Sequence, residues 1–90
     1  PYYNPLMRTQ TITSTGVGDD QTVAINRETK MVIIQNASAV DVTAFLRALA
    51  NTPGLPVPAN TQREVSVGCN ANQIILQFGA AASVLVEERK

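Results

Sequence analysis

Short apolar runs separated by polar, turn-forming clusters make up nearly the whole chain. The strongest signal is "KMVIIQ" at residues 30–35, whose four consecutive apolar residues predict a strand buried on both faces. "TQREVSVG" (61–68) alternates apolar with polar and predicts a strand, as do "QIILQF" (73–78) and "SVLVEER" (83–89). Upstream, "TQTITSTG" (9–16) reads as a strand closed by Gly16, and "TVAI" (22–25) as a short alternating one. The segments "GVGDDQ", "NRET", "CNAN" and "GAAA" supply turns between them. Short strands with turn signals roughly every 8–12 residues predict an all-β chain. The expected architecture is a small antiparallel β-sandwich, jelly-roll-like, of six to eight short strands.

One stretch is ambiguous. In "NASAVDVTAFLRAL" (36–49), Ser38 could cap a helix with Asp41 completing the capping box. Val42, Phe45, Leu46 and Leu49 would then share a face. As a strand, Val40, Val42, Ala44 and Leu46 line one side instead. The β-branched residues at 40, 42 and 43, and the absence of other helical segments to pack against, favour the strand. Any helical turn is then confined to the residues after Phe45.

Two proline-stiffened segments stand out as candidate contact surfaces. "PYYNPLMRTQ" (1–10) carries both tyrosines and two of the five prolines, so it is expected to be an extended N-terminal arm ahead of a single domain over 11–90. Tyr2, Tyr3, Pro5, Leu6 and Arg8 could anchor a neighbouring subunit, since aromatic residues concentrate binding energy. They could equally fold back over the chain's own core. Pro53, Leu55 and Val57 lie in "NTPGLPVPAN" (51–60), where prolines pre-organise the backbone at low entropic cost. That segment is either a docking loop or a crossover between two sheets with Leu55 and Val57 turned inward.

Charge and chemistry narrow the function more by what is missing. Only 16% of the 90 residues are charged, and seven basic residues cancel seven acidic ones. That balance does not suggest a nucleic-acid partner, which requires clustered Lys and Arg. It also lacks the net charge that keeps small free proteins apart, which favours a subunit of an assembly. There is no histidine, so the usual Ser-His and Cys-His nucleophile systems and the commonest metal ligand are missing. Cys69 is the single cysteine and cannot form an internal disulfide; a small residue buried at a turn is its expected role.

Asp19-Asp20 does not match a calcium-loop pattern and reads as a solvated hairpin tip; Gly16-Val17-Gly18 precedes no helix and is not a phosphate loop. Asn36-Ala37-Ser38 fits the glycosylation acceptor pattern, although a side chain shaping a turn is the simpler role. Glu87, Glu88, Arg89 and Lys90 read as a solvated strand end. No apolar run approaches the ~20 residues needed to span a bilayer, so no membrane partner is expected. Nor is there a signal-peptide pattern, and a start at Pro1 fits initiator trimming, so an intracellular product made without export is expected. No cofactor is expected.

The order "IIQNAS", "VDVTAFL", "GLPVPANTQREV" and "QIILQFGAAASVLVEE" resembles the small β-sandwich modules of tailed-bacteriophage virions, especially head decoration (cement) proteins and head-fibre domains. The resemblance spans residues 30–88 and rests on strand patterning and turn placement. What corresponds is the Asn36 turn, the loop from Gly54 to Pro58 and the closing strand; "RALANTPG" departs as an insertion. The resemblance implies a non-enzymatic subunit, made in the host cytoplasm, that binds the outer surface of the major capsid protein shell and stabilises it. It also implies self-association, commonly as a trimer. The competing expectations are a tail, neck or fibre subunit, and a glycan- or receptor-binding module.

Overall fold

The computed structural model describes residues 6–46, 54–66 and 73–90. Among the described residues eight strands run in chain order: β1 (Leu6–Ser14), β2 (Gln21–Ala24), β3 (Met31–Asn36), β4 (Val42–Leu46), β5 (Leu55–Val57), β6 (Thr61–Ser66), β7 (Gln73–Phe78) and β8 (Ala82–Arg89). They form two four-stranded antiparallel sheets, β1-β8-β3-β6 and β2-β7-β4-β5. This is the small β-sandwich that the turn rhythm predicts.

The strand pairing has a simple origin. β4 pairs β5, β3 pairs β6, β2 pairs β7 and β1 pairs β8, the nested pairs of one long hairpin. The doubled ribbon then wraps on itself, and two further pairings, β3 with β8 and β4 with β7, stitch each sheet together. The result is the jelly-roll order.

Strand alternation sets the core. Val32 and Ile34 of β3 face Val84 and Val86 of β8 along one sheet's inner surface, while Val42 and Ala44, Val57, and Ile74, Leu76 and Phe78 line the other. Each such buried Val, Ile, Leu or Phe side chain contributes about 1.5–3 kcal/mol relative to exposure. The run at residues 30–35 is buried on both faces as expected: Val32 and Ile34 enter the core, and Ile33, pointing the other way, is also 0% exposed. On the outer face Ile33 is flanked in register by Glu64 of β6 and Glu87 of β8, neighbours that a central strand has on both sides.

Two expectations change, and the favoured strand reading of the ambiguous stretch holds over Val42–Leu46. β1 begins at Leu6, so residues 6–10, expected in an arm, belong to the sheet; residues 1–5 lie outside the described residues. Residues 42–46 are strand, because the hydroxyl of Ser38 and the carboxylate of Asp41 are used elsewhere and do not cap a helix. The helical turn considered after Phe45 falls outside the described residues, apart from Leu46, which closes β4. So do the "CNAN" turn and Cys69. Finally, Glu88 is no part of a solvated end, for it is 0% exposed.

Candidate functional site

Parity along β8 explains the burial of Glu88. It follows Val84 and Val86 at two-residue spacing, so it projects between the sheets at the end of the strand. Arg8 lies opposite it on β1 and Gln10 lies opposite Val86, which puts both on the same inner side. The carboxylate accepts from Arg8 Nε at 2.5 Å, Gln10 Nε2 at 3.1 Å, the Asn26 backbone N–H at 2.8 Å and the Thr29 hydroxyl at 3.0 Å. Arg8 Nη2 and Gln10 Nε2 also donate to the Ala24 carbonyl at 2.8 and 3.2 Å, which ties β1 across to β2 in the other sheet. Burial by itself pushes the Glu88 carboxyl upward, but the bonds from Arg8, Asn26 and Thr29 and the guanidinium charge outweigh it. The group is held below the usual carboxylate value.

At the other end of β3 stands Asn36, 1% exposed and aligned with Val32 and Ile34. Its amide nitrogen donates to the carbonyls of Val40 at 2.7 Å, Val57 at 3.0 Å and Pro58 at 3.2 Å. Its oxygen accepts from the Ser38 N–H at 3.1 Å and the Ser38 hydroxyl at 2.5 Å. Asp41 adds a bond to the Ala59 N–H at 2.9 Å, and the Asn60 N–H reaches the Ser38 carbonyl at 3.0 Å. Asn60 takes a left-handed φ of 58° in this turn, a conformation asparagine tolerates well. The acceptor pattern at Asn36 is therefore a turn lock, its amide consumed inside the fold. Beside it, Gln35, Asn36, Ala37, Asn60, Thr61 and Gln62 line an open cleft of about 350 Å³.

Asp19 organises the β1–β2 connection. Its carboxylate accepts from the Thr15 N–H at 2.8 Å and the Thr15 hydroxyl at 3.0 Å, and its carbonyl accepts from Ser14 Oγ at 2.8 Å. The Thr15 amide, then its hydroxyl, hold the Asp19 carboxyl below its ordinary value. Gly16 and Gly18 carry φ values of 140° and 89° in this loop, the region glycine enters without strain. Val17 between them is 82% exposed.

The candidate contact residues are scattered by the fold. Val57 is fully buried and Leu55 packs against the core, as the crossover alternative describes. Leu6 is 53% exposed on the outer side of β1, opposite Arg89 in register. Arg8 is engaged by Glu88 of its own chain. Tyr2, Tyr3, Pro5 and Pro53 lie outside the described residues. Among the described residues no three His, Cys, Asp or Glu side chains gather as a metal would require, and no helix is long and apolar enough to cross a membrane. Asn36 shapes its turn as expected, but its burial, and the role of Glu88 altogether, were missed because both look like surface residues by type; the signal was parity with Ile34 and Val86.

Comparison of the chain with protein-family models, with curated proteins and with solved structures gives no match to any. The class that the geometry of the described residues defines is a small antiparallel β-sandwich with jelly-roll strand order.

Proposed function

We propose that this protein is a non-enzymatic virion structural subunit that decorates the outer surface of a capsid and stabilises it. The observation that carries the reading is the strand order β1-β8-β3-β6 over β2-β7-β4-β5, an architecture used by viral capsid domains among others. The charge-poor composition, and the resemblance of the strand and turn pattern to phage head decoration modules, support it. A modest interface repeated over a lattice gains strength through multivalency, so each contact can be small. The major capsid protein and further copies of this chain are the partners this reading requires, and the particle surface is the location.

The test is co-sedimentation of the purified protein with mature capsids and, in parallel, with isolated tails. Saturable binding to capsids supports the proposal. Binding to tails without binding to capsids replaces it with a tail, neck or fibre role. The carboxamide-lined cleft at Gln35, Asn60 and Gln62 favours a second reading as a glycan-binding module, because amides and hydroxyls recognise sugar hydroxyls. A glycan array with a clear hit that is lost in Asn60→Ala would establish it.

A further inference from the structure

The two sheets end in four edge strands, and three are protected in recognisable ways. β2 is only four residues long, β5 is three residues with Pro56 at its centre, and β6 exposes the charged pair Arg63 and Glu64. β1 is different. It runs nine residues, has no proline, and its single charge, Arg8, is drawn to Glu88. Its outer side presents Thr9, Thr11 and Thr13, all exposed and all strand-favouring. Among the described residues β1 pairs with β8 alone, so its other side offers a row of backbone donors and acceptors.

We propose that this edge is a self-association surface, on which β1 of a second copy of this chain adds antiparallel to β1. The sequence around Thr11 is self-complementary under a two-fold axis. With Thr11 opposite its own copy, Thr9 meets Thr13 and Thr13 meets Thr9, three like pairs of a kind that stabilise antiparallel ladders. No like charges are opposed in this register, since Arg8 falls opposite Ser14. The pairing joins two four-stranded sheets into one continuous sheet of twice the width. It stands independently of the capsid reading, because it is a property of the isolated chain.

Sedimentation velocity over a concentration series up to about 1 mM reads the monomer–dimer equilibrium directly. Wild type is expected to shift toward dimer with concentration. Thr11→Lys, which places two lysines opposite each other, is expected to weaken the dimer by about tenfold or more. Mixing Thr11→Lys with Thr11→Glu should restore association that neither shows alone. Amide exchange on the wild type gives a readout without variants: β1 amides should gain protection as concentration rises, and β6 amides should not. A wild type monomeric throughout, an oligomer indifferent to Thr11→Lys, a mixture that fails to re-associate, or concentration-independent β1 exchange each overturns the proposal.

Discussion

Arg8 and Glu88 stand 80 positions apart in the sequence and meet at 2.5 Å, joining the first strand of the fold to the last. They do so inside the sandwich, where Glu88 is fully buried and the Arg8 side chain is 47% exposed. The pair closes one end of the jelly roll, and its asymmetry in burial sets what each substitution costs.

Replacing Glu88 with Ala strands the Asn26 N–H and the Thr29 hydroxyl without this acceptor and leaves the Gln10 amide only the Ala24 carbonyl. Removing one member of a buried, hydrogen-bonded ion pair typically costs about 3–5 kcal/mol. Arg8→Ala should cost less, because water reaches half of that side chain. Urea denaturation of both variants at pH 7 checks the order; equal losses would contradict it.

The carboxyl of Glu88 is held below its unfolded value, near 4.5. A depressed carboxylate contributes stability that is complete above the unfolded value and disappears as pH falls through the folded one. Denaturation midpoints should therefore be steady near neutrality and decline below about pH 4.5. Glu88→Gln should start lower and lose less on acidification. An acid limb as steep in Glu88→Gln as in wild type would assign it to other carboxylates, with Asp19 the next to test.

Asn36→Asp changes little in shape but removes the donors to Val40, Val57 and Pro58 and sets a carboxylate against three carbonyl oxygens. The expected loss is about 3 kcal/mol or more at pH 7, from unsatisfied buried acceptors and an unpaired buried charge. It should shrink as pH is lowered and the aspartate is protonated. Thermal melts of wild type and variant at pH 7 and pH 4 provide the measurement.

Gly54 packs closely against the Thr43 and Phe45 side chains of β4. A Cβ there would collide with the Thr43 methyl and sit 2.9 and 3.0 Å from ring carbons of Phe45. Gly54→Ala should cost about 1–3 kcal/mol through overpacking. Adding Thr43→Ser, which removes the nearest methyl, should recover part of that loss. A double mutant with strictly additive losses would show that the Thr43 methyl is not the obstacle.

Most of the strand pattern was legible in the chain, and the reason is local. Alternation in "QIILQF" puts Ile74, Leu76 and Phe78 on one side, and only one side of a sandwich sheet faces the core. The "KMVIIQ" run reads as a central strand because its apolar residues leave no polar face for water. Segment 36–49 stayed ambiguous because Ser38 and Asp41 have the chemistry of a helix start. Asp41 finds the Ala59 N–H, and Asn36, which holds the Ser38 hydroxyl, finds the Val57 and Pro58 carbonyls, only once strands distant in sequence have come together.

The sequence by itself determined the class of the fold, its turns and the absence of histidine chemistry, since these follow from residue type and spacing. Tertiary structure alone decided which polar residues are interior. Glu88 and Asn36 become buried only when residues as distant as Arg8 and Val57 arrive to satisfy them. Burial without those partners would cost more than the fold could bear, so their roles are a property of the assembled sandwich.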